Sequence, residues 1–292
     1  MKKVTILILT KNQKNAIEKC INACLDQDYD KKSYDIIVVD DYSTDGERDL
    51  LKKIKNPRLK TILLERWTGR IKATNMGIRS SKSEFIALMN ADCVPEREWL
   101  SKLMKGFDSD DVAMVSSFSE TGGTSTVYRK AVFDKIGYFD EDFNELGTGF
   151  RDDTEMAFRM WKADYKTKMV DAKFTHTHDE ARGGTSIIKY ALYRLSKHRF
   201  DPLLYKKHPD MAKEFFDVKF GFLRNPLKDF EVATGRWGMS KKTRLSSPQG
   251  VVILENRTPL HLVAIITLGM LYVLLVKASR LYGSLIYKKL LI

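Results

Sequence analysis

Apolar residues come in short runs through the first half of the chain, and between those runs they recur every three or four positions. Val4 to Leu9, Asp35 to Val39, Leu59 to Leu64, Phe85 to Met89 and Val112 to Ser116 read as strands. Asn15 to Gln27, Gly46 to Ile54, Ile71 to Ser80 and Arg97 to Lys105 read as helices. Such alternation is the signature of βαβ units, so the pattern predicts an α/β fold on a mostly parallel sheet flanked by helices. After Gly122-Gly123 a further strand is expected at Ser125 to Arg129, a helix at Glu155 to Asp164, and a last strand from Lys168 to His178.

Beyond Glu180 the texture changes. Ile187 to His198 has a helical apolar pattern laced with Lys189, Arg194 and Lys197, and the stretch from Arg199 to Trp237 mixes aromatics with cations. Helices of this kind can lie on a membrane surface, their long basic side chains reaching the headgroups, or pack on the front domain with a solvated basic face outward. Pro259 to Val276 carries no formal charge and is followed by Lys277, Arg280, Lys288 and Lys289. A run of about 18 residues is at the short end for crossing a bilayer. Crossing from a cytoplasmic domain would also put four cations outside, against the positive-inside tendency. A hairpin or interfacial pair of helices is therefore expected, and three regions are read: 1–180 the α/β domain, 181–258 basic and membrane-facing, 259–292 transmembrane or interfacial.

Charge sharpens this division. The formal net charge is +12, yet residues 1–179 hold 30 Lys/Arg and 30 Asp/Glu, whereas 180–258 hold 16 and 8, and 259–292 hold 4 and none. An excess confined to the back of the chain implies an anionic partner there. The apolar end favours anionic membrane lipids over nucleic acid, for which no recognition motif is present. Cys20, Cys24 and Cys93 cannot form a disulfide framework, which points to a reducing, cytoplasmic location for the folded front. The chain opens without a secretory pattern, Met1-Lys2-Lys3 running straight into the first strand.

Three strand or helix ends carry candidate chemistry. Ile36-Ile37-Val38-Val39-Asp40-Asp41-Tyr42-Ser43-Thr44-Asp45-Gly46 places carboxylates at the edge where open α/β sheets bind ligands, although Asp, Ser and Gly after a strand also serve as turn and cap residues. In Leu88-Met89-Asn90-Ala91-Asp92-Cys93, residues two apart on an extended chain face the same way, so Asn90 and Asp92 offer oxygens to one place. Hard oxygen donors suit Mg²⁺ or Mn²⁺ shared with ligand phosphates. Asp152 and Asp153 stand where a loop enters a helix, a position that suits dipole complementation and equally a catalytic base.

In order and spacing, VTILILTKNQKNAIEKCINACLDQDYD, YDIIVVDDYSTDG, ATNMGI ahead of SEFIALMNADCVPEREWL, and GYFDEDFNELGTGFRDDTEMAFRM resemble the family 2 glycosyltransferases over residues 3 to 180. The resemblance implies a GT-A, Rossmann-like catalytic domain that binds a nucleotide sugar. Carried over position by position, Thr10, Asn12, Asp41, Arg70, Asn75, Asn90 and Ala91 border the nucleotide-sugar pocket, with Asp41 the partner of the base. Asp92 matches the last position of the family's Asp-any-Asp metal motif. Asn90 stands where the first Asp is usual and removes one negative charge. Asp153 matches the second residue of the Glu-Asp motif, the general base, and Asp152 replaces the Glu. His176 and His178 match a region where some relatives place a further metal ligand, His176 lining up better with the strand end.

The implied reaction is an inverting displacement on a UDP- or dTDP-sugar, with Mg²⁺ or Mn²⁺ as cofactor. The implied acceptor is a lipid-linked glycan or a polyprenyl phosphate at the cytoplasmic membrane face. An ionised phosphate needs no base, so Asp153 favours a sugar hydroxyl. A non-catalytic membrane scaffold is the rival reading that the Asn90 departure keeps open.

Overall fold

The first strand, β1 (Val4–Thr10), is buried along nearly its whole length. It runs down the middle of a sheet covered on both faces, which is why its sequence is continuously apolar rather than alternating. β2 (Tyr34–Asp40) and β4 (Phe85–Asn90) pair with it in parallel on either side, and β3 (Leu59–Leu63) extends the sheet beyond β2. The register sets Thr10 opposite Asp40 and Leu9 opposite Asn90, so three polar strand ends finish level at one edge. The structure, a computed structural model, describes residues 1–147, 149–177, 187–233, 243–247, 250–254 and 259–292.

Among the described residues the main sheet has seven strands in the order β3-β2-β1-β4-β7-β6-β8, with β6 at Val112–Ser116, β7 at Thr126–Arg129 and β8 at Lys166–Met169. β7 runs antiparallel to both of its neighbours, and the other pairings are parallel. Helices α1 (Lys14–Leu25), α2 (Glu47–Lys53), α3 (Arg70–Ser80) and α4 (Trp99–Lys105) follow the predicted spacing. α3 seats closely on the sheet because Gly77 has no side chain: a Cβ there would lie 2.5 Å from Leu7 Cδ1 and 3.1 Å from Val39 Cγ2.

The structure departs from the sequence pattern in four places. α5 (Lys130–Ile136) was not anticipated. α6 (Asp152–Lys162) begins a turn earlier than expected, with Asp152, Asp153 and Glu155 in its first turn, where carboxylates complement the helix dipole. The strand expected from Lys168 to His178 is two. β8 ends at Met169, the Ala172 N–H donates to Val170 O in a tight turn that bends the chain away, and β9 (Phe174–His176) pairs antiparallel with β5 (Cys93–Pro95). Finally, Pro259–Tyr287 is one 29-residue helix rather than a pair, and it continues through Lys277 and Arg280.

The chain divides into two compact units, Met1–Ala181 and Arg182–Ile292. The second contains helices Ile187–Ser196, Asp201–Lys207, Pro209–Phe215 and Pro226–Ala233, a hairpin of Thr243–Ser247 with Gly250–Leu254, and the long helix.

Candidate active site

At the sheet edge the ends of β1 and β2 are knitted together by a buried carboxylate that the sequence did not advertise as functional. Glu47, in the first turn of α2, accepts the Thr10 hydroxyl, the Gln13 N–H at 2.8 Å and the Ser43 hydroxyl at 2.9 Å. Burial raises its pKa above the ordinary carboxylate range. Asn12, held at φ 54°, accepts the Thr44 N–H at 2.8 Å and donates its own N–H to Ser43 Oγ at 2.8 Å. Asp41 is buried, and it holds the loop ahead of α3: its carboxylate accepts the Thr68 N–H at 2.7 Å and the Gly69 N–H at 2.9 Å. Asn75 is buried too, and its amide clamps Phe139, donating to the carbonyl at 2.8 Å and accepting the N–H at 3.1 Å. Asn144 does similar work, accepting the Ile71 N–H at 3.1 Å and donating to Thr68 O at 2.8 Å. Side chains expected to touch ligand thus first fix the loops that frame the edge.

A second cluster gathers around α6. Arg70, at the start of α3, pairs with the buried Asp152 carboxylate. Gly149 lies flat against that guanidinium: a Cβ at this position would meet Arg70 Nη2 at 2.5 Å, and the residue adopts φ 60°. Asp153 is half-buried and accepts the Thr154 N–H at 2.7 Å through Oδ1, while Oδ2 lies 3.6 Å from where a Gly123 Cβ would sit. Burial, and then the negative charge of Asp152, raise the Asp153 pKa, with Arg70 and Arg151 pulling the other way. The Tyr128 hydroxyl is buried against Gly122, next to Gly123, and is pushed far above its ordinary range by burial and by Asp153.

The third cluster comes from the pairing of β5 with β9, which sets Cys93 opposite His176. His176 Nε2 is 3.1 Å from Asp92 Oδ1, and one donor atom each of Asp92, Cys93 and His176 lies within 4.8 Å of the others. The Thr177 N–H donates to Asp92 O at 2.7 Å, pinning the end of β9 to the metal motif. Burial, reinforced by the Asp92 charge, raises the Cys93 pKa. Of the three donors, the Asp92 oxygen and the His176 imidazole suit Mg²⁺ or Mn²⁺ better than a soft sulfur does, leaving the cation's other positions to water or phosphate oxygens. Asn90 is exposed at the strand end, its N–H donating to Thr124 Oγ1 at 3.1 Å, and Ala91 is buried. His178 lies outside the described residues. The loop between β6 and β7 links the clusters, Thr124 contacting Asn90 and Cys93 while the adjacent Gly123 faces Asp153.

A family model described as Glycosyl transferase family 2 matches residues 5–195. The chain belongs to that family. Glycosyltransferase AglE of Haloferax volcanii is 29 % identical over 128 residues, 42 % of this chain and 42 % of that protein. The UDP-Glc:alpha-D-GlcNAc-diphosphoundecaprenol beta-1,3-glucosyltransferase WfaP of Escherichia coli is 34 % identical over 92 residues, 32 % of this chain and 36 % of its own length. Each match covers less than half of the relative. Among solved structures, the mannosyltransferase PcManGT from Pyrobaculum calidifontis in complex with GDP-Man and Mn²⁺ superposes with a TM-score of 0.60 at 15 % identity, covering 96 % of this chain and 87 % of that one. A likeness at that identity establishes the fold, and the fold agrees with the GT-A expectation.

Proposed function

We propose that this family 2 chain is an inverting glycosyltransferase that moves a sugar from a nucleoside-diphosphate sugar, UDP- or dTDP-linked, to a hydroxyl of a lipid-linked glycan at the cytoplasmic membrane face. The observation that carries the reading is the Asp153 carboxylate: half-buried beside Asp152, raised in pKa, and facing the Gly123 loop. A carboxylate so placed is a stronger base than an exposed one, suited to taking the proton of an attacking hydroxyl. Asp152 and Arg70 position it. Thr10, Asn12, Asp41, Arg70, Asn75, Asn90 and Ala91 frame the donor pocket, and Asp92 with His176 would hold Mg²⁺ or Mn²⁺, which would offset the charge of the leaving diphosphate. The WfaP likeness supports a diphospholipid-linked acceptor, and the basic second unit supports an anionic membrane surface.

Release of nucleoside diphosphate from a panel of nucleotide sugars, with lipid-linked and polyprenyl-phosphate acceptors, tests this. Wild type should turn over with metal, and Asp153→Asn should lose about 10²-fold or more while still binding nucleotide. An Asp153→Asn protein that keeps its turnover, or an activity confined to polyprenyl phosphate, refutes the hydroxyl mechanism.

A further inference from the structure

The helix Pro259–Tyr287 wears its polarity the wrong way round for water. Its inward stripe is Ile265, Gly269, Val273, Val276, Arg280 and Ser284, at helical spacing. Arg280 is fully buried there, its Nε 2.9 Å from Asp201 Oδ2 and its Nη1 and Nη2 at 2.6 and 3.0 Å from the Asp229 carboxylate. The outward stripe is apolar: Val263, Leu268, Leu271, Leu274 and Leu285 are each more than half exposed. A soluble helix packs its leucines inward and points its arginine out. This one does the reverse, and an exposed apolar face of such length marks an interaction surface.

Two further facts say what covers it. Arg182–Ile292 carries 20 Lys/Arg against 7 Asp/Glu, whereas Met1–Ala181 carries 30 against 31. Lys189, Lys206, Lys213 and Lys288 are exposed within the same unit as the apolar stripe, as are Ile188 and Leu227. An exposed apolar stripe on so strongly basic a unit matches a bilayer with anionic headgroups. The second fact concerns the path of the chain. The helix is long and apolar enough to cross a membrane, yet Ile292 returns to residues ahead of it, donating its N–H to Phe222 O and accepting the Arg224 N–H, both at 2.8 Å. Were the helix to cross, residues 234–258 would have to cross back, and they carry Arg236, Lys241, Lys242, Arg244, Glu255 and Arg257 together with a two-stranded hairpin. Lipid does not tolerate the unpaired edges of an open hairpin.

We infer that the helix lies in the plane of an anionic membrane surface, its leucine face in one leaflet, and does not span. The inference rests on the membrane location proposed above and deepens it to a one-sided, in-plane attachment. It is tested on inside-out membrane vesicles from cells making the full chain, with Asn256→Cys ahead of the helix and Leu290→Cys after it. Native Cys20, Cys24 and Cys93 are buried and give little background. Both new thiols should react with a membrane-impermeant maleimide as fully before detergent as after it. One thiol protected until detergent is added places the two ends on opposite sides and overturns the inference. Purified protein should also sediment with vesicles of phosphatidylcholine and phosphatidylglycerol at least tenfold more than with phosphatidylcholine alone. Equal recovery removes the anionic partner, and a soluble dimer that ignores both vesicles assigns the face to a second copy; either overturns the inference. Turnover measured on the same samples reports separately on the proposed reaction, so a failure of one is visible without the other.

Discussion

Replacing Gly149 by alanine would test whether the Arg70–Asp152 pair positions the base. The new Cβ would stand 2.5 Å from Arg70 Nη2, 2.9 Å from Nε and 3.1 Å from Cζ, so the guanidinium must retreat by about 1 Å to reach ordinary contact. Two costs add. An alanine at φ 60° is worth about 1–2 kcal/mol of strain. Loosening the ion pair leaves the buried Asp152 short of its cation, but Arg70 is 40 % exposed, so screening holds this to about 1–2 kcal/mol rather than the larger penalty of a fully buried pair. A loss of about 2–4 kcal/mol leaves a domain of ordinary stability folded. Turnover should fall by about 10²-fold as well, because a shift of about 1 Å in a positioning group can cost that much in rate. With Arg70 farther away the Asp153 pKa should rise further, moving the acidic limb of the pH–rate profile upward. The assay is nucleoside diphosphate release across pH, beside urea melts of the same samples. Wild-type turnover with an unmoved acidic limb, in a protein measurably destabilised, would refute the positioning role and leave Gly149 a purely steric residue.

Asp153→Asn should stabilise the protein by about 1 kcal/mol at pH 8. A carboxyl whose pKa is raised on folding costs stability as pH climbs from its unfolded value through its folded one, so the gain should fade in urea melts as pH falls to about 3, below the unfolded value, where the wild-type group is largely protonated in both states. His176→Ala should weaken Mn²⁺ binding about tenfold, and more than Mg²⁺ binding, by calorimetry, because an imidazole contributes more to Mn²⁺. Cys93→Ser should leave both affinities within about twofold, since a soft sulfur is a poor donor to either of these hard cations. Asn75→Ala should lower stability by about 2–3 kcal/mol in urea melts, from two buried backbone groups of Phe139 left unpaired.

The parts of the fold that the sequence discloses are those in which each residue's fate is local. β1, β2 and β4 are buried on both faces, and their unbroken apolar runs say so without reference to anything distant. Carboxylates at the ends of those strands, and Asp152-Asp153 entering α6, were legible for the same reason. What was hidden depends on partners far along the chain. β9 is a separate strand because β5, some eighty residues earlier, takes it as an antiparallel partner. Arg280 continues a helix that should have stopped near Val276 because Asp201 and Asp229 receive it. Glu47 reads as an ordinary first-turn acid, and only the approach of Thr10 from another strand makes it a buried hub.

The asparagine at position 90 acquires a physical meaning from that hidden pairing. In the family pattern a first aspartate would add a second negative charge beside Asp92, and losing it weakens the attraction for any divalent cation. Asn90 is exposed at the strand end. The group that does reach Asp92 is His176, delivered by β9 and fixed by the bonds from Thr177 to the Asp92 carbonyl. Exchanging a carboxylate oxygen for an imidazole nitrogen lowers the charge of the site and softens its donor set, a change that penalises Mg²⁺ more than Mn²⁺. On the proposed reading it would also leave more of a bound cation's charge uncompensated by protein, so that a diphosphate arriving with the donor would contribute a larger share of the neutralisation. Metal binding and donor binding at such a site should therefore be strongly coupled, each tightening the other by the same factor.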